Sequence, residues 1–310
     1  MTPTSQPQAS AKAAPAAPGD VHALISQLTV YPVKSCAGVH VKEALLIESG
    51  LELDRAWMIV DANGDFLTQR VLPRMALVQP QLRHYDMVLR APGMLALHVK
   101  IDEVEAAVQV RVWDDTVPAF DMGAVAAQWF SDFLGVKARL VRFDPEHKRL
   151  SNLTWTGGME ALNQFNDGYP LVVIGAASLA QFNEQLTARG APAADMARFR
   201  PNIVLASMPG ETDLAPHDED RLDVLRIEAG DASSAAVQLK LVKPCLRCTI
   251  PDIDPQTAVS SPDVGDLLRS VRQDPRVDGA ITFGMNAIVL EGVEAMLKVG
   301  QRVRADFRFD

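Results

Sequence analysis

The sequence has few cysteines, and it lacks a hydrophobic run long enough to cross a membrane. Only Cys36, Cys245 and Cys248 occur among 310 residues, and this odd, low number disfavours a disulfide framework and fits a reducing compartment. No stretch of 18 apolar residues occurs, so no membrane span is expected. Residues 1–22 lack the features of a secretory signal and are rich in Ala, Pro and Ser, which predicts a disordered tail. We therefore expect a cytoplasmic protein.

Several common catalytic signatures are also missing. The chain has no His-Glu-x-x-His, no Gly-x-Ser-x-Gly, no P-loop and no Gly-x-Gly-x-x-Gly, so no motif supports a zinc protease, a triad hydrolase, a P-loop enzyme or a dinucleotide dehydrogenase. The net charge is −9 at pH 7, which disfavours a nucleic-acid partner. In such an acidic chain, a local basic pocket for one small anion would stand out.

The sequence is rich in short β patterns. A helix is expected over residues 123–134, with Val125 and Trp129 on its buried face, and Ser178 is expected to cap another helix. Alternating or apolar runs predict strands over residues 24–30, 40–47, 57–60, 87–99, 108–112, 171–174, 224–227, 237–242, 282–290 and 299–307. The pattern predicts a mainly β fold with helices (α+β), arranged as two linked barrel-like modules.

The segment Lys243-Pro244-Cys245-Leu246-Arg247-Cys248 is the sharpest local feature. Its cations would lower the pKa of a nearby thiol and favour the reactive thiolate. Four interpretations stay open: half of a zinc site, a redox dithiol, a single soft metal ligand or sulfur nucleophile, and two buried structural cysteines. No second cysteine pair completes a zinc site, and the segment leads to a Pro-Asp loop rather than to a helix.

Isolated cations next to strand ends form the second feature. Lys34 and Ser35 follow the first predicted strand, and Arg55 precedes the apolar run over residues 57–60. Arg200 stands two residues before Asn202, just ahead of the apolar run over residues 203–205. Such residues can hold an anionic group by charge and forked hydrogen bonds. Each residue also has an alternative interpretation. Lys34 would be a solvated lysine in a turn, Arg55 would form an internal salt bridge with Asp54, and Arg200 would be solvated at the surface.

Five segments occur in collinear order along the chain and together carry a family resemblance: LTVYPVKSCAGVHV, LDRAWMIVD, RFRPNIVL, KPCLRCTIPDIDPQT and FGMNAIVLEG. The chain resembles the MOSC-domain proteins that have an MOSC N-terminal β-barrel, the group of the mitochondrial amidoxime reducing component and its bacterial counterparts. The resemblance extends from about residue 24 to the end, and it implies an N-terminal β-barrel domain over residues 23–145 and an MOSC β-barrel domain over residues 146–310. We expect the first strands of the N-terminal domain to join the MOSC barrel.

The resemblance implies a cofactor and the residues that bind it. The family binds the molybdenum cofactor, in which a pterin dithiolene holds the metal, and Cys248 is implied as the catalytic residue and metal ligand; a soft thiolate suits such a metal. Relatives often have a Thr-Ser pair where this chain has Gly168 and Tyr169. The implied cofactor-binding residues are Lys34, Ser35, Arg55, Gly168, Tyr169, Arg200, Asn202, Leu246, Arg247 and Asn286.

The resemblance also implies a reaction and its partners. We expect reduction of small N-hydroxylated compounds, such as amidoximes and hydroxylamines. Because Arg70 and Arg74 follow closely after the hairpin turn predicted at Asn63-Gly64, we also expect them near the substrate entrance. The chain lacks the cysteines of the iron–sulfur domain found in some bacterial relatives, so we expect electrons from a separate iron–sulfur, flavin or haem protein. A sulfur carrier that uses a Cys248 persulfide and a non-catalytic cofactor carrier are the alternatives.

Overall fold

A computed structural model describes residues 21–210, 214–229 and 236–308. The tail predicted over residues 1–22 lies outside this range, except for Val21 and His22, which begin the first strand. The strands are β1 Val21–Val30, β2 Val39–Val41, β3 Glu43–Ile47, β4 Gly50–Leu51, β5 Trp57–Val60, β6 Gln79–Leu82, β7 Asp86–Arg90, β8 Leu97–Lys100, β9 Ala107–Val112, β10 Asp115–Asp121, β11 Arg139–Phe143, β12 Arg149–Leu150, β13 Leu162–Asn163, β14 Leu171–Gly175, β15 Ile203–Ser207, β16 Leu222–Ile227, β17 Val237–Leu246, β18 Gln273–Asp274, β19 Ala280–Glu291, β20 Met296–Lys298 and β21 Arg302–Phe307. The α-helices are α1 Ala124–Leu134, α2 Leu153–Thr156, α3 Ala176–Ala188 and α4 Asp263–Val271, and short 3-10 helices cover Pro73–Leu77, Met196–Arg198, Asp218–Arg221, Ile250–Asp252 and Pro275–Val277.

Seven strands close into a barrel. Their order is β14, β15, β1, β21, β16, β17 and β19, and β19 pairs with β14 to complete the circle. Of these pairs, β14 and β15 run parallel and the others antiparallel. Alternate residues of β1, such as Ala23 and Ile25, enter the barrel core because successive strand side chains point to opposite faces. Among the described residues, the first strand thus belongs to the same barrel as the last strand.

Irregular pairing shapes the end of β17. Its register with β19 shifts between Leu241 and Lys243 and again between Pro244 and Leu246. Proline has no N–H to donate to the ladder, and each extra residue bends the strand locally. Strict alternation is therefore lost, and Pro244 and Cys245 are both buried although they are neighbours. This end of the barrel carries the cysteine segment.

A second sheet lies outside the barrel, in the order β5, β11, β10 and β9. Helix α1 packs Trp129 and Phe130 into a core that includes Trp57 of β5. The helix ends at Gly135, which has the left-handed conformation that glycine readily adopts after the last turn of a helix. The placement of Val125 on the buried face is wrong, since this side chain is 75% exposed; it lies about 100° around the helix from the buried Ala126.

Helix α3 shows a second departure from the sequence prediction. Gly175 occupies the N-cap position, so Ser178 lies inside the first turn, where it is buried. Its hydroxyl donates to Glu219 Oε2 at 2.7 Å and accepts from the backbone N–H of His217 at 2.8 Å. The predicted cap is wrong because a carboxylate distant in sequence binds this hydroxyl. Glu219 is fully buried, and burial raises its pKa to about 7.

The predicted fold class is confirmed: the chain is mainly β with few helices and contains a barrel. Most strands lie where hydrophobic patterning predicts them. The structure adds strands that the sequence did not reveal, among them β6, β10 and β11. It also divides two predicted strands: that over residues 40–47 into β2 and β3, and that over residues 87–99 into β7 and β8. No helix within the described ranges is long and apolar enough to cross a membrane.

Candidate functional site

A cavity lies where the ends of several barrel strands meet the second sheet. Its lining comes from the segments after β1 and before β5, from the turn between β9 and β10, and from the loops and strand ends around β14, β15, β17 and β19. The cavity volume is about 180 Å³, whereas one water molecule needs only about 10–15 Å³ by the same measure. The cavity therefore accommodates a ligand of many atoms.

The lining is strongly cationic. Among the described residues it includes seven Lys or Arg side chains and one carboxylate, that of Asp167. This excess of positive charge lies in a protein whose net charge is −9, so the cavity attracts an anion that the remaining surface would repel. The seven cationic residues are Lys34, Arg55, Arg70, Arg198, Arg200, Lys243 and Arg247.

Cys248 brings a thiol to this cavity. It stands two residues beyond the end of β17 and is exposed, whereas Cys245 is buried. Burial raises the pKa of the Cys245 thiol. The Arg247 guanidinium fixes the segment by donating to the carbonyl oxygens of Phe199 at 2.6 Å and Phe283 at 3.0 Å. Both cysteines line the cavity, and because Cys248 is the exposed one, it is the candidate metal ligand or sulfur nucleophile.

Lys34 belongs to a hydrogen-bonded group at one side of the cavity. Its ammonium donates to the Phe165 carbonyl at 2.7 Å and to Asp167 Oδ1 at 2.5 Å. The Trp113 indole donates to the same carboxylate oxygen at 3.0 Å, and the Arg70 guanidinium lies over the Trp113 ring at 4.5 Å. Burial lowers the pKa of Lys34. The group places one ammonium and one guanidinium beside an aromatic ring at the cavity.

Arg55 and Arg200 form a second cationic group. Arg55 donates to Asp54 Oδ2 at 2.5 Å, to Asn202 Oδ1 at 3.1 Å and to the Arg200 carbonyl at 3.2 Å. The buried Asn202 amide also donates to the Thr29 carbonyl at 3.2 Å. Burial and the charge of Arg55 lower the pKa of Arg200. Asn202 therefore ties this cationic group to the end of β1.

Three of the lining residues adopt an unusual backbone conformation. The φ angles of Ser35, Arg55 and Arg200 are 64°, 51° and 56°, in the left-handed region that costs a residue with a side chain about 1 kcal/mol or more. Such strained residues cluster at functional sites in many proteins. The surrounding hydrogen bonds hold these three residues in place, which orients two guanidinium groups and one hydroxyl at the cavity.

Tyr169 carries an unsatisfied polar atom. Its hydroxyl is buried and has no hydrogen-bond partner within the described part of the chain, and burial raises its pKa to about 12. A buried hydroxyl without a partner is destabilising, and Tyr169 lines the cavity. The neighbouring Gly168 has a φ of 147°, and Asn286 of β19 donates weakly to the Pro244 carbonyl at 3.5 Å.

The structure brings all the predicted site residues to one cavity, although their contacts with a cofactor stay a prediction. Arg70 also lines the cavity. Arg74 does not, since its guanidinium lies over the Phe133 ring at 4.5 Å. The residues brought together are Lys34, Ser35, Arg55, Gly168, Tyr169, Arg200, Asn202, Leu246, Arg247, Cys248 and Asn286.

Sequence reasoning missed Asp167 and Trp113. Asn166, Asp167 and Gly168 form a sequence typical of a turn, but nothing local pairs Asp167 with Lys34, which lies 133 positions away. Trp113 occupies the turn between β9 and β10, and β10 was itself not predicted. Both residues line the cavity.

Comparison with known proteins gives two domain matches and several relatives. Residues 22–137 match the MOSC N-terminal beta barrel domain, and residues 161–304 match the MOSC domain. Mitochondrial amidoxime reducing component 2 of Rattus norvegicus is 32% identical, over 76% of this chain and 68% of that protein. Mitochondrial amidoxime-reducing component 1 of Homo sapiens is also 32% identical, over 81% of this chain and 73% of that protein.

A relative with another name covers more of this chain. Molybdenum cofactor sulfurase of Bos taurus is 28% identical over 96% of this chain, which corresponds to 34% of the sulfurase. The two domain matches occur in the order that the resemblance implies, and the two amidoxime reducing components are similar over most of both chains. The chain therefore belongs to the family of MOSC-domain proteins that carry an MOSC N-terminal β-barrel domain.

Proposed function

We propose that the protein binds the molybdenum cofactor and reduces N-hydroxylated compounds, such as amidoximes and hydroxylamines, with electrons from a separate protein. One observation carries the proposal: the exposed Cys248 thiol lies at a cavity that is lined, among the described residues, by seven cationic side chains and one carboxylate. The relatives named as amidoxime reducing components support the choice of reaction. An iron–sulfur, flavin or haem protein is the proposed electron donor.

The donor set fits this cofactor. The pterin phosphate is an anion, which suits the cationic lining, and a metal that the pterin dithiolene already holds through sulfur suits a soft cysteine thiolate. Cys248 would be the metal ligand, and the hydroxyl of Tyr169, which lacks a partner within the described residues, would gain one. The pterin and its phosphate would be held by Lys34, Ser35, Arg55, Gly168, Tyr169, Arg200, Asn202, Leu246, Arg247 and Asn286.

When bound, the cofactor supplies a metal centre that removes an oxygen atom with two electrons. Conversion of an N–OH group to N–H consumes two electrons and two protons and releases water. The chain's own residues bind and orient the reactants. The cationic lining offsets the negative charge of the bound phosphate, and Arg70 and Trp113 border the cavity beside Lys34. The Lys34 ammonium, whose pKa burial lowers, holds an exchangeable proton at Nζ.

Sulfur transfer is the second candidate function. The similarity to molybdenum cofactor sulfurase and the exposure of the Cys248 thiol favour it. In this case Cys248 would carry a persulfide, and the cationic residues would bind the acceptor. Mass spectrometry distinguishes the two functions, because a persulfide adds one sulfur atom to Cys248 and needs no molybdenum.

Turnover of an aromatic amidoxime under anaerobic conditions tests the proposed reaction, with a chemically reduced viologen dye as electron donor. The protein is produced in a host that makes the cofactor. We expect amidine formation by the wild type and by Cys36→Ala, a thiol control whose side chain lies in a buried core, and a loss of at least about 100-fold in Cys248→Ala. Equal turnover in Cys248→Ala would contradict the proposal, as would an inactive, molybdenum-loaded wild type that carries a Cys248 persulfide.

A further inference from the structure

Tyr31 lies directly after β1, beneath the two arginines of the cavity. Its side chain is 1% exposed. Its backbone N–H donates to Asp54 Oδ1 at 2.8 Å, and its carbonyl accepts from the backbone N–H of Arg55 at 2.7 Å. A Cβ atom on Gly38 would come within 2.6 Å of the ring, so glycine at that position leaves the space that the ring needs. The ring is therefore fixed from several sides.

Two guanidinium groups share this ring. The Arg55 guanidinium carbon lies 4.4 Å from the centre of the Tyr31 ring, and that of Arg200 lies 4.3 Å from it. The face of an aromatic ring is negative and attracts cations, most strongly where water is excluded. Tyr31 itself does not line the cavity, whereas both arginines do. The ring can therefore affect a ligand only through the arginines.

The two cations are incompletely neutralised. Within the described residues, Asp54 pairs with Arg55, whereas the hydrogen bond found for the Arg200 guanidinium goes to a backbone carbonyl, that of Cys36, at 2.6 Å. The two positive charges repel each other, and this repulsion must be balanced while the cavity holds no anion. The negative face of one ring attracts both guanidinium groups and so offsets part of that repulsion.

We propose that Tyr31 is a positioning residue, whose buried ring holds the guanidinium groups of Arg55 and Arg200 together as one fork for the anionic end of the ligand. The identification of this end as the cofactor phosphate rests on the proposed function. The fork itself rests on the two ring distances, on the burial of Tyr31 and on the left-handed backbone of both arginines. An anion would then bind to a preorganised pair of cations.

Stepwise fluorination of the ring tests this role with almost no change of shape. Position 31 is occupied in turn by Phe, 4-fluoro-, 3,5-difluoro- and 3,4,5-trifluorophenylalanine, because fluorine withdraws charge from the ring face and weakens cation binding. Calorimetry measures the affinity of the metal-free protein for inorganic phosphate. We expect the phosphate affinity of Tyr31→Phe to stay close to that of the wild type. With each further fluorination the affinity should fall, by about tenfold over the whole series. The same series at Phe130, a fully buried core residue, should leave the affinity unchanged.

A flat series at position 31, or a wild type that does not bind phosphate, would overturn the inference. In the cofactor-loaded protein, the rate at which molybdenum is lost during dialysis should rise in the same order. The outcomes separate the two proposals. A graded phosphate series in a protein that never acquires molybdenum contradicts the proposed function alone, whereas a molybdenum-loaded wild type with a flat series contradicts the role of Tyr31 alone.

Discussion

Replacing Glu219 by glutamine should stabilise the protein at alkaline pH and have little effect at acidic pH. The carboxyl group is fully buried, and it accepts hydrogen bonds from the Ser178 hydroxyl and from backbone N–H groups, including that of Gly175. Burial raises the pKa of this carboxyl group to about 7 from its ordinary value of 4.5. Glutamine is neutral, has nearly the same shape, and can accept the same hydrogen bonds at every pH.

The raised pKa sets the sign and the size of the effect. The folded state binds the proton more tightly than the unfolded state, so stability is greatest below pH 4.5 and is lost as the pH rises through about 7. A shift of this size corresponds to about 3 kcal/mol in the free energy of unfolding, at about 1.4 kcal/mol per pH unit. We expect Glu219→Gln to gain about 3 kcal/mol at pH 8 and less than about 1 kcal/mol at pH 5.

Urea unfolding at several pH values, followed by far-ultraviolet circular dichroism, measures this difference. Glu184→Gln is the matched control, because Glu184 lies on the exposed face of the adjoining helix α3; it should change stability equally little at both pH values. A gain that is the same at pH 5 and pH 8 would refute the reasoning, since it would show that Glu219 does not change its proton binding on folding.

Two further substitutions test the packing around the cavity and the barrel. Asn202→Ala should lower the free energy of unfolding by about 3 kcal/mol, because several polar groups lose their partner, among them the N–H of Val172, which donates to this amide at 3.1 Å, and the buried Arg55 guanidinium. A loss below about 1 kcal/mol in urea unfolding would contradict this. Gly284→Ala should lower the free energy of unfolding by about 3 kcal/mol, because the new Cβ atom would lie 2.7 Å from the Val173 carbonyl oxygen. Gly279→Ala, with a similar φ but open space around it, should cost only about 1 kcal/mol, and equal losses in the two glycine variants would contradict the packing argument.

Local patterning predicted much of the fold, and its failures have physical causes. Strands such as β1 and β5 were predicted because apolar residues repeat along them or run continuously. Strand β10 is harder to recognise, because its sequence DTVPAFD contains a proline and two aspartates, residue types that are depleted in strands. Ser178 has the local features of a cap, but its hydroxyl binds Glu219, which lies 41 positions later. Tertiary contacts of this kind are absent from a local pattern.

The site was predicted largely from the family resemblance rather than from the spacing of its residues. The residue types indicated that Lys34, Arg55 and Arg200 could bind an anion, but the sequence did not show that they lie at one cavity. Their meeting depends on strand pairing over long separations, such as β1 with β15. Arg74 shows the limit of sequence proximity, because it lies close to Arg70 in the chain but packs on Phe133. Asp167 has no local signal that connects it to Lys34.

The molybdenum content of the purified protein tests the central claim most directly. The wild type, Cys248→Ala and Cys36→Ala are purified without oxygen from a host that makes the cofactor, and the metal is measured by mass spectrometry. We predict close to one molybdenum atom per chain in the wild type and in Cys36→Ala, whose side chain lies in a buried core and is not part of the cavity lining, and a large loss in Cys248→Ala. A wild type without molybdenum, from a host whose cofactor supply has been verified, would contradict the account.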